Sequence, residues 1–245
     1  MNSFVATFLG PLPYFRLGLK HVAKLCSGFS KEIAMDRAMD YVSSSGIVGD
    51  YLEFGVWRGR AFAAACYLSR QRKLSMKFYA FDSFNGLPEN KEVDATGHQM
   101  FRGGNYRCSE QEFLKNVRHT GADMSHVITV PGWFRESLRP DNPRISALQK
   151  AAVVWVDCDL YSSCVDVLRF VSSYLQHGTL ICFDDWFNYR ADPNAGEQRA
   201  FREWLESNPH LSAVELMRVG WEGNCFVIHR IEESKALLSR SEGAL

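Results

Sequence analysis

Four aspartates carry the strongest chemical signal in the chain. Asp157 and Asp159 stand two apart in Trp155-Val156-Asp157-Cys158-Asp159-Leu160-Tyr161, and Asp184 and Asp185 adjoin in Leu180-Ile181-Cys182-Phe183-Asp184-Asp185-Trp186. Each pair closes a short apolar run that reads as a buried strand. Residues two apart on a strand face the same side. If the two strands are parallel neighbours, their ends lie about 5 Å apart. Carboxylates that close repel by roughly 3 kcal/mol per pair at an effective dielectric of about 20. Either some are protonated or a cation holds them. Oxygen ligands suit Mg²⁺, Mn²⁺ or Ca²⁺ better than zinc. Such an ion can gather two neighbouring hydroxyls and lower their pKa. A carboxylate left off the ion can then take a proton, and Asp159 is the candidate for that base. The competing role is structural: Asp157 or Asp159 could cap a helix starting near Ser162.

A second constellation precedes it. Glu53-x-Gly55-x-x-x-Gly59 bridges a strand and the helix after it, where free N–H groups and missing side chains admit a ligand. Asp82 ends the next strand, the position at which an acid accepts hydrogen bonds from ribose hydroxyls. The spacing is not that of a dinucleotide fingerprint, and Trp57 and Arg58 leave little room for a pyrophosphate. A nucleoside without phosphates fits better, and S-adenosylmethionine is the common one. The alternative is that Gly55 and Gly59 only serve a tight turn.

These residues need a scaffold, and the pattern supplies one. Strands are expected at 51–56, 78–82, 127–130, 151–157 and 178–184, with helices at 31–44, 60–70, 109–119, 162–175 and 196–206. Ser109 caps its helix, with Glu112 completing a capping box. Two last strands, 211–218 and 224–229, are close enough to pair antiparallel. Strands alternating with helices predict an α/β fold, a doubly wound and mainly parallel sheet whose ligands bind beyond the carboxyl ends of the strands. Residues 87–106 read as a long functional loop in which His98, Arg102 and Tyr106 could reach a substrate. Residues 1–48 read as an N-terminal helical segment, a lid or an interface, and 49–245 as the catalytic domain. Phe4 to Phe15 is rich in large apolar residues, and Arg16, Lys20 and Lys24 share a helical face. That apolar character makes a homo-oligomer plausible.

Composition narrows the class. The 28 basic and 28 acidic residues balance, which argues against a nucleic-acid binder driven by bulk charge. No apolar run reaches the roughly 18 residues of a membrane-spanning helix, and Pro11 and Pro13 interrupt the N-terminal stretch, unlike a signal peptide. The 7 cysteines are scattered without Cys-x-x-Cys and read as reduced, mostly structural thiols of a cytoplasmic protein. Glu197 reads as serving a helix start and Arg199 as a partner for an active-site acid. Phe201 and Trp204 read as core.

Five blocks in order carry a resemblance: Glu53-Phe-Gly-Val-Trp-Arg-Gly59, Phe81-Asp-Ser-Phe-Asn-Gly-Leu-Pro-Glu89, Pro131-Gly-Trp-Phe134, Asp157-Cys-Asp-Leu-Tyr161 and Phe183-Asp-Asp185. Over about residues 50–230 the chain resembles the macrocin O-methyltransferase family, which modifies sugars of macrolides and aminocoumarins. The resemblance implies a Rossmann-like class I methyltransferase sheet of seven strands and S-adenosylmethionine as donor. It also implies a divalent ion, usually Mg²⁺, on Asp157, Asp184 and Asp185, with Asp159 as general base. Glu53, Gly55, Gly59 and Asp82 fall on cofactor positions, and Ser83 and Trp133 lie near the adenine. The expected activity is metal-dependent methylation of a hydroxyl on a sugar or glycosylated small molecule, a step of natural-product biosynthesis. A catechol-type acceptor and a non-catalytic cofactor-binding protein are the alternatives. The chain departs from the family at Cys158, where Gly is usual, at Trp186, where a smaller residue or Tyr is usual, and along its N-terminal segment.

Overall fold

The computed structural model describes residues 30–89, 92–94 and 101–234. The expectations for Phe4–Phe15, Arg16, Lys20, Lys24, Cys26 and His98 lie outside the described residues. The described chain runs α1 (Ser30–Ser44), β1 (Asp50–Phe54), α2 (Arg60–Gln71), β2 (Phe78–Asp82), α3 (Glu110–His119), β3 (Val127–Pro131), a one-turn α4 (Phe134–Ser137), β4 (Ala151–Val156), α5 (Tyr161–Val171), β5 (Leu180–Phe183), α6 (Gly196–Glu206), β6 (Leu211–Val219) and β7 (Gly223–Arg230). The strands form one seven-stranded sheet in the order β3-β2-β1-β4-β5-β7-β6. The first five are parallel, and β7 runs antiparallel to both β5 and β6, as the closeness of the last two runs predicts.

Burial explains why β4 is a continuous apolar run. All six of its residues are buried, because helices cover both faces of the sheet. One core holds Met35 and Met39 of α1, Phe62 of α2, Phe113 of α3 and Trp155. The other holds Phe54, Phe81, Val154, Phe170 and Phe183 with Phe201 and Trp204 of α6, which places those last two in the core as expected. Ser109 caps α3 by accepting a hydrogen bond from the Glu112 amide. Helix α1 thus shares a core with the sheet, and Arg72 ties it further to the end of α2 through Asp36 and Asp40, each at 2.7 Å.

One cysteine expectation is overturned. Cys182 and Cys225 lie directly opposite in the β5–β7 register, with Cα atoms 4.0 Å apart, and form a disulfide. The pairing depends on strand register, which spacing in sequence does not express. Cys66, Cys108, Cys158 and Cys164 are buried free thiols.

Candidate active site

The ends of β1, β2, β4 and β5 open into one cavity of about 630 Å³. Its floor follows from backbone pairing carried just past the strands. The Gly55 amide donates to Phe81, the Asp157 amide to Phe54 and the Asp184 amide to Val156, at 2.8, 2.9 and 2.9 Å. That ladder brings Asp157 and Asp184 side by side. Asp157, Asp184 and Asp185 each present a carboxylate oxygen, and the three oxygens lie within 4.8 Å of one another. Asp159 also lines the cavity, in a left-handed backbone conformation with φ 62°. The Tyr189 hydroxyl donates to its carbonyl at 2.7 Å.

None of these aspartates caps α5. Asp94 does, accepting from the Ser162 amide at 3.1 Å and from its hydroxyl at 2.5 Å. Asp185 is instead held from both sides. Its amide donates to Glu197 Oε2 at 3.0 Å, and its Oδ1 accepts from the Asn188 side-chain amide. Glu197 stands in the first turn of α6, as expected, and also secures the aspartate loop. Arg199 pairs with Glu203 at 2.8 Å and lies over the Tyr161 ring, away from the aspartates.

Burial makes the cluster electrostatically tense. Desolvation, with the Asp157 carboxylate adding, pushes Asp159 up to about 8 and Asp184 up to about 7. Asp185 and Glu197 are pushed well above the ordinary carboxylate range, chiefly by burial and next by the nearest acid of the cluster, Asp159 for Asp185 and Asp185 for Glu197. Asp184 Oδ1 and Asp185 Oδ2 are buried without a hydrogen-bond partner. Orphaned buried carboxylate oxygens are costly unless something positive meets them. Three convergent carboxylates, two of them with unpartnered buried oxygens, fit a hard divalent cation.

One positive group is built in, and the sequence pattern did not single it out. Lys31, in the first turn of α1, places Nζ 2.7 Å from Asp157 Oδ2 and 2.6 Å from Asp184 Oδ2. Burial opposes its charge, but the two carboxylates outweigh burial and hold the ammonium well above its ordinary pKa. Only the position of α1 relative to the sheet could have revealed this contact.

The expected cofactor residues divide. Gly55, Asp82, Ser83 and Trp133 line the cavity. Asp82 accepts from the amides of Val56, Trp57 and Phe84 at 2.8, 3.2 and 2.7 Å, and burial still leaves its pKa raised. The Ser83 hydroxyl closes its own turn by donating to the Gly86 carbonyl at 2.8 Å. Glu53 and Gly59 are not in the cavity wall. Glu53 is buried beneath it and accepts from the Tyr51 hydroxyl at 2.5 Å. Gly59, at φ 82°, lies against the Phe113 ring, where a Cβ would come within 2.9 Å. Gly55 has a packing reason too: at φ 87°, a Cβ there would sit 1.8 Å from the Asp157 carbonyl. In the loop, Phe101 and Tyr106 line the cavity, and Tyr106 meets Trp57 edge to face at 5.7 Å. Trp186 packs among Phe183, Phe201 and Phe226 and is not part of the cavity wall.

Comparison with known proteins decides the family. The family described as Macrocin-O-methyltransferase (TylF) matches residues 25–222. The chain belongs to the macrocin O-methyltransferase family. A curated relative, the 8-demethyl-8-(2,3-dimethoxy-alpha-L-rhamnosyl)-tetracenomycin-C 4'-O-methyltransferase of Streptomyces olivaceus, is 28% identical over 173 residues. The mycinamicin III 3''-O-methyltransferase of Micromonospora griseorubida is 28% identical over 176. Each match covers 67% of this chain, and 63% and 66% of those proteins, so the chain spans just under two thirds of their length. Among solved structures, the O-methyltransferase NovP superposes with a TM-score of 0.70 at 23% identity, covering 82% of this chain and 80% of that one. At that identity the likeness establishes the shared fold, and this macrocin-family chain carries the same Rossmann-like sheet.

Proposed function

We propose that the protein is a metal-dependent, S-adenosylmethionine-dependent O-methyltransferase acting on a hydroxyl of a sugar or glycosylated small molecule. The observation that carries this reading is the convergence of Asp157, Asp184 and Asp185, with orphaned oxygens, in the same cavity as Asp82 and Asp159. Family membership and the names of the curated relatives support the acceptor class.

The chain's own groups divide the work. Asp82 would accept from the ribose hydroxyls, although three backbone amides already engage its oxygens, so it binds as a pre-set acceptor rather than a mobile one. Trp133 and Ser83 would flank the adenine. Asp157, Asp184 and Asp185 would hold a divalent cation, which would supply positive charge next to the acceptor oxygens and favour their ionisation. Asp159 would take the proton from the acceptor hydroxyl. Burial and the Asp157 carboxylate raise its pKa to about 8 in the ion-free protein, and the charge of a bound cation would lower that value and free the basic carboxylate near neutral pH. Asn188 and Glu197 fix Asp185 and so keep the acceptor oriented. Alignment of hydroxyl and methyl donor would supply much of the rate, since held geometry can contribute several kcal/mol.

The test is methyl transfer from labelled S-adenosylmethionine to a panel of glycosides and catechols, before and after EDTA. Transfer to glycosides, lost with EDTA and restored by Mg²⁺, is expected. Metal-independent turnover of the preferred acceptor would refute the mechanism.

A further inference from the structure

The Lys31 contact has no part in the chemistry above, yet it sits at the centre of the proposed cation site. Its Nζ bridges Asp157 Oδ2 and Asp184 Oδ2 at 2.7 and 2.6 Å. A magnesium ion needs carboxylate oxygens at about 2.0–2.1 Å. An ion on those two oxygens would compete with the ammonium for the same notch, and two positive charges do not share it. The helix itself is not free to withdraw. Ala34, Met35, Ala38, Met39 and Val42 are buried, and Arg72 clamps Asp36 and Asp40. The movable part is the long, four-carbon side chain of Lys31. Glu222, on the same cavity wall, is a carboxylate that can receive it.

We propose that Lys31 is a tethered counter-ion of the carboxylate cluster, which neutralises Asp157 and Asp184 until a divalent cation displaces it and thereby sets the affinity of the site. This rests on the metal-dependent reading of the cluster. The displacement involves no covalent step: the ammonium leaves two carboxylate oxygens and the cation takes them. In the unloaded protein Lys31 keeps the strand ends from repelling one another. In the loaded protein its side chain turns from the aspartates toward Glu222 on the cavity wall.

Two measurements test it on the full chain. Calorimetric titration of EDTA-stripped protein with Mn²⁺ compares wild type with Lys31→Gln and Lys31→Arg. Lys31→Gln should bind Mn²⁺ at least about tenfold more tightly, because the competing charge is gone. Lys31→Arg should stay within about threefold of wild type. Equal affinity in wild type and Lys31→Gln, or weaker binding in the variant, would overturn the proposal. The second measurement needs no variant. Amine acetylation of wild type, read by mass spectrometry, should modify Lys31 at least about threefold faster with saturating Mg²⁺ than in EDTA, since an amine held between two carboxylates reacts more slowly than one displaced from them. An unchanged rate at Lys31, with calorimetry showing the ion bound, would also overturn it. Absence of Mn²⁺ binding in wild type and both variants would instead remove the metal reading itself.

Discussion

Asp94 closes the N-terminus of α5 by accepting two hydrogen bonds from Ser162, one from its amide and one from its hydroxyl. That single relationship releases Asp157 and Asp159 from the capping role their positions suggest. A helix start is satisfied once, and the carboxylate that satisfies it here comes from a separate turn at Glu92–Asp94. What is left at the ends of β4 and β5 is acid with no capping duty toward α5.

Asp94→Ala should therefore cost stability and little else. Loss of a side-chain cap is worth about 1–2 kcal/mol. Chemical denaturation should show that loss, with cofactor affinity unchanged. A variant as stable as wild type would mean that α5 starts are satisfied otherwise.

Asp159→Asn should bind cofactor and cation with affinities within about threefold of wild type, yet turn over at least about 100-fold more slowly, the typical scale of a removed general base. Single-turnover kinetics separates the two effects. Wild-type rates would exclude Asp159 from proton transfer.

The acid cluster sets a pH dependence of stability. Unfolded aspartates titrate near about 3.9. In the folded, ion-free protein, burial pushes Asp159 up to about 8 and Asp184 up to about 7, with the Asp157 carboxylate adding to both. The folded state thus holds protons that the unfolded chain has lost. The stabilisation is complete below pH about 4 and falls as pH rises through 7 to 8. The raised Lys31 pKa acts only above its own ordinary alkaline range and leaves this window untouched. The Tm of EDTA-treated protein should drop by more than about 5 °C between pH 5 and pH 8. Mg²⁺ should flatten the profile. A level profile in EDTA would contradict the electrostatics of the cluster.

Gly55→Ala should fail for a reason unrelated to ligand. Its Cβ would meet the Asp157 carbonyl at 1.8 Å, and its φ of 87° disfavours any side chain. A loss of about 2 kcal/mol or more is expected by denaturation. A neutral substitution would show that the β1 and β4 ends can separate.

Much of this was legible from residue order. Apolar runs closed by acids gave the parallel strands, and Asp157, Asp184 and Asp185 converge as that pattern requires. Ser109 gave the start of α3, and the short spacing of the last two runs gave the antiparallel pair. What escaped depends on three-dimensional packing. Lys31 lies 126 positions from Asp157, and no periodicity links them. Cys182 and Cys225 meet only through strand register. Trp186 follows the acid pair in sequence, but it packs against aromatic side chains of β7 and α6 and does not line the cavity. Gly55 was legible as a glycine that admits a ligand or serves a tight turn, whereas its close approach to the Asp157 carbonyl follows only from the pairing of the β1 and β4 ends.

Crystals soaked with Mn²⁺ and S-adenosylhomocysteine, with diffraction recorded at the manganese absorption edge, test the central claim most directly. An anomalous peak among the carboxylates of Asp157, Asp184 and Asp185, with the ribose on Asp82, is the expected result. A peak elsewhere, or none while the nucleoside is bound, would contradict the account.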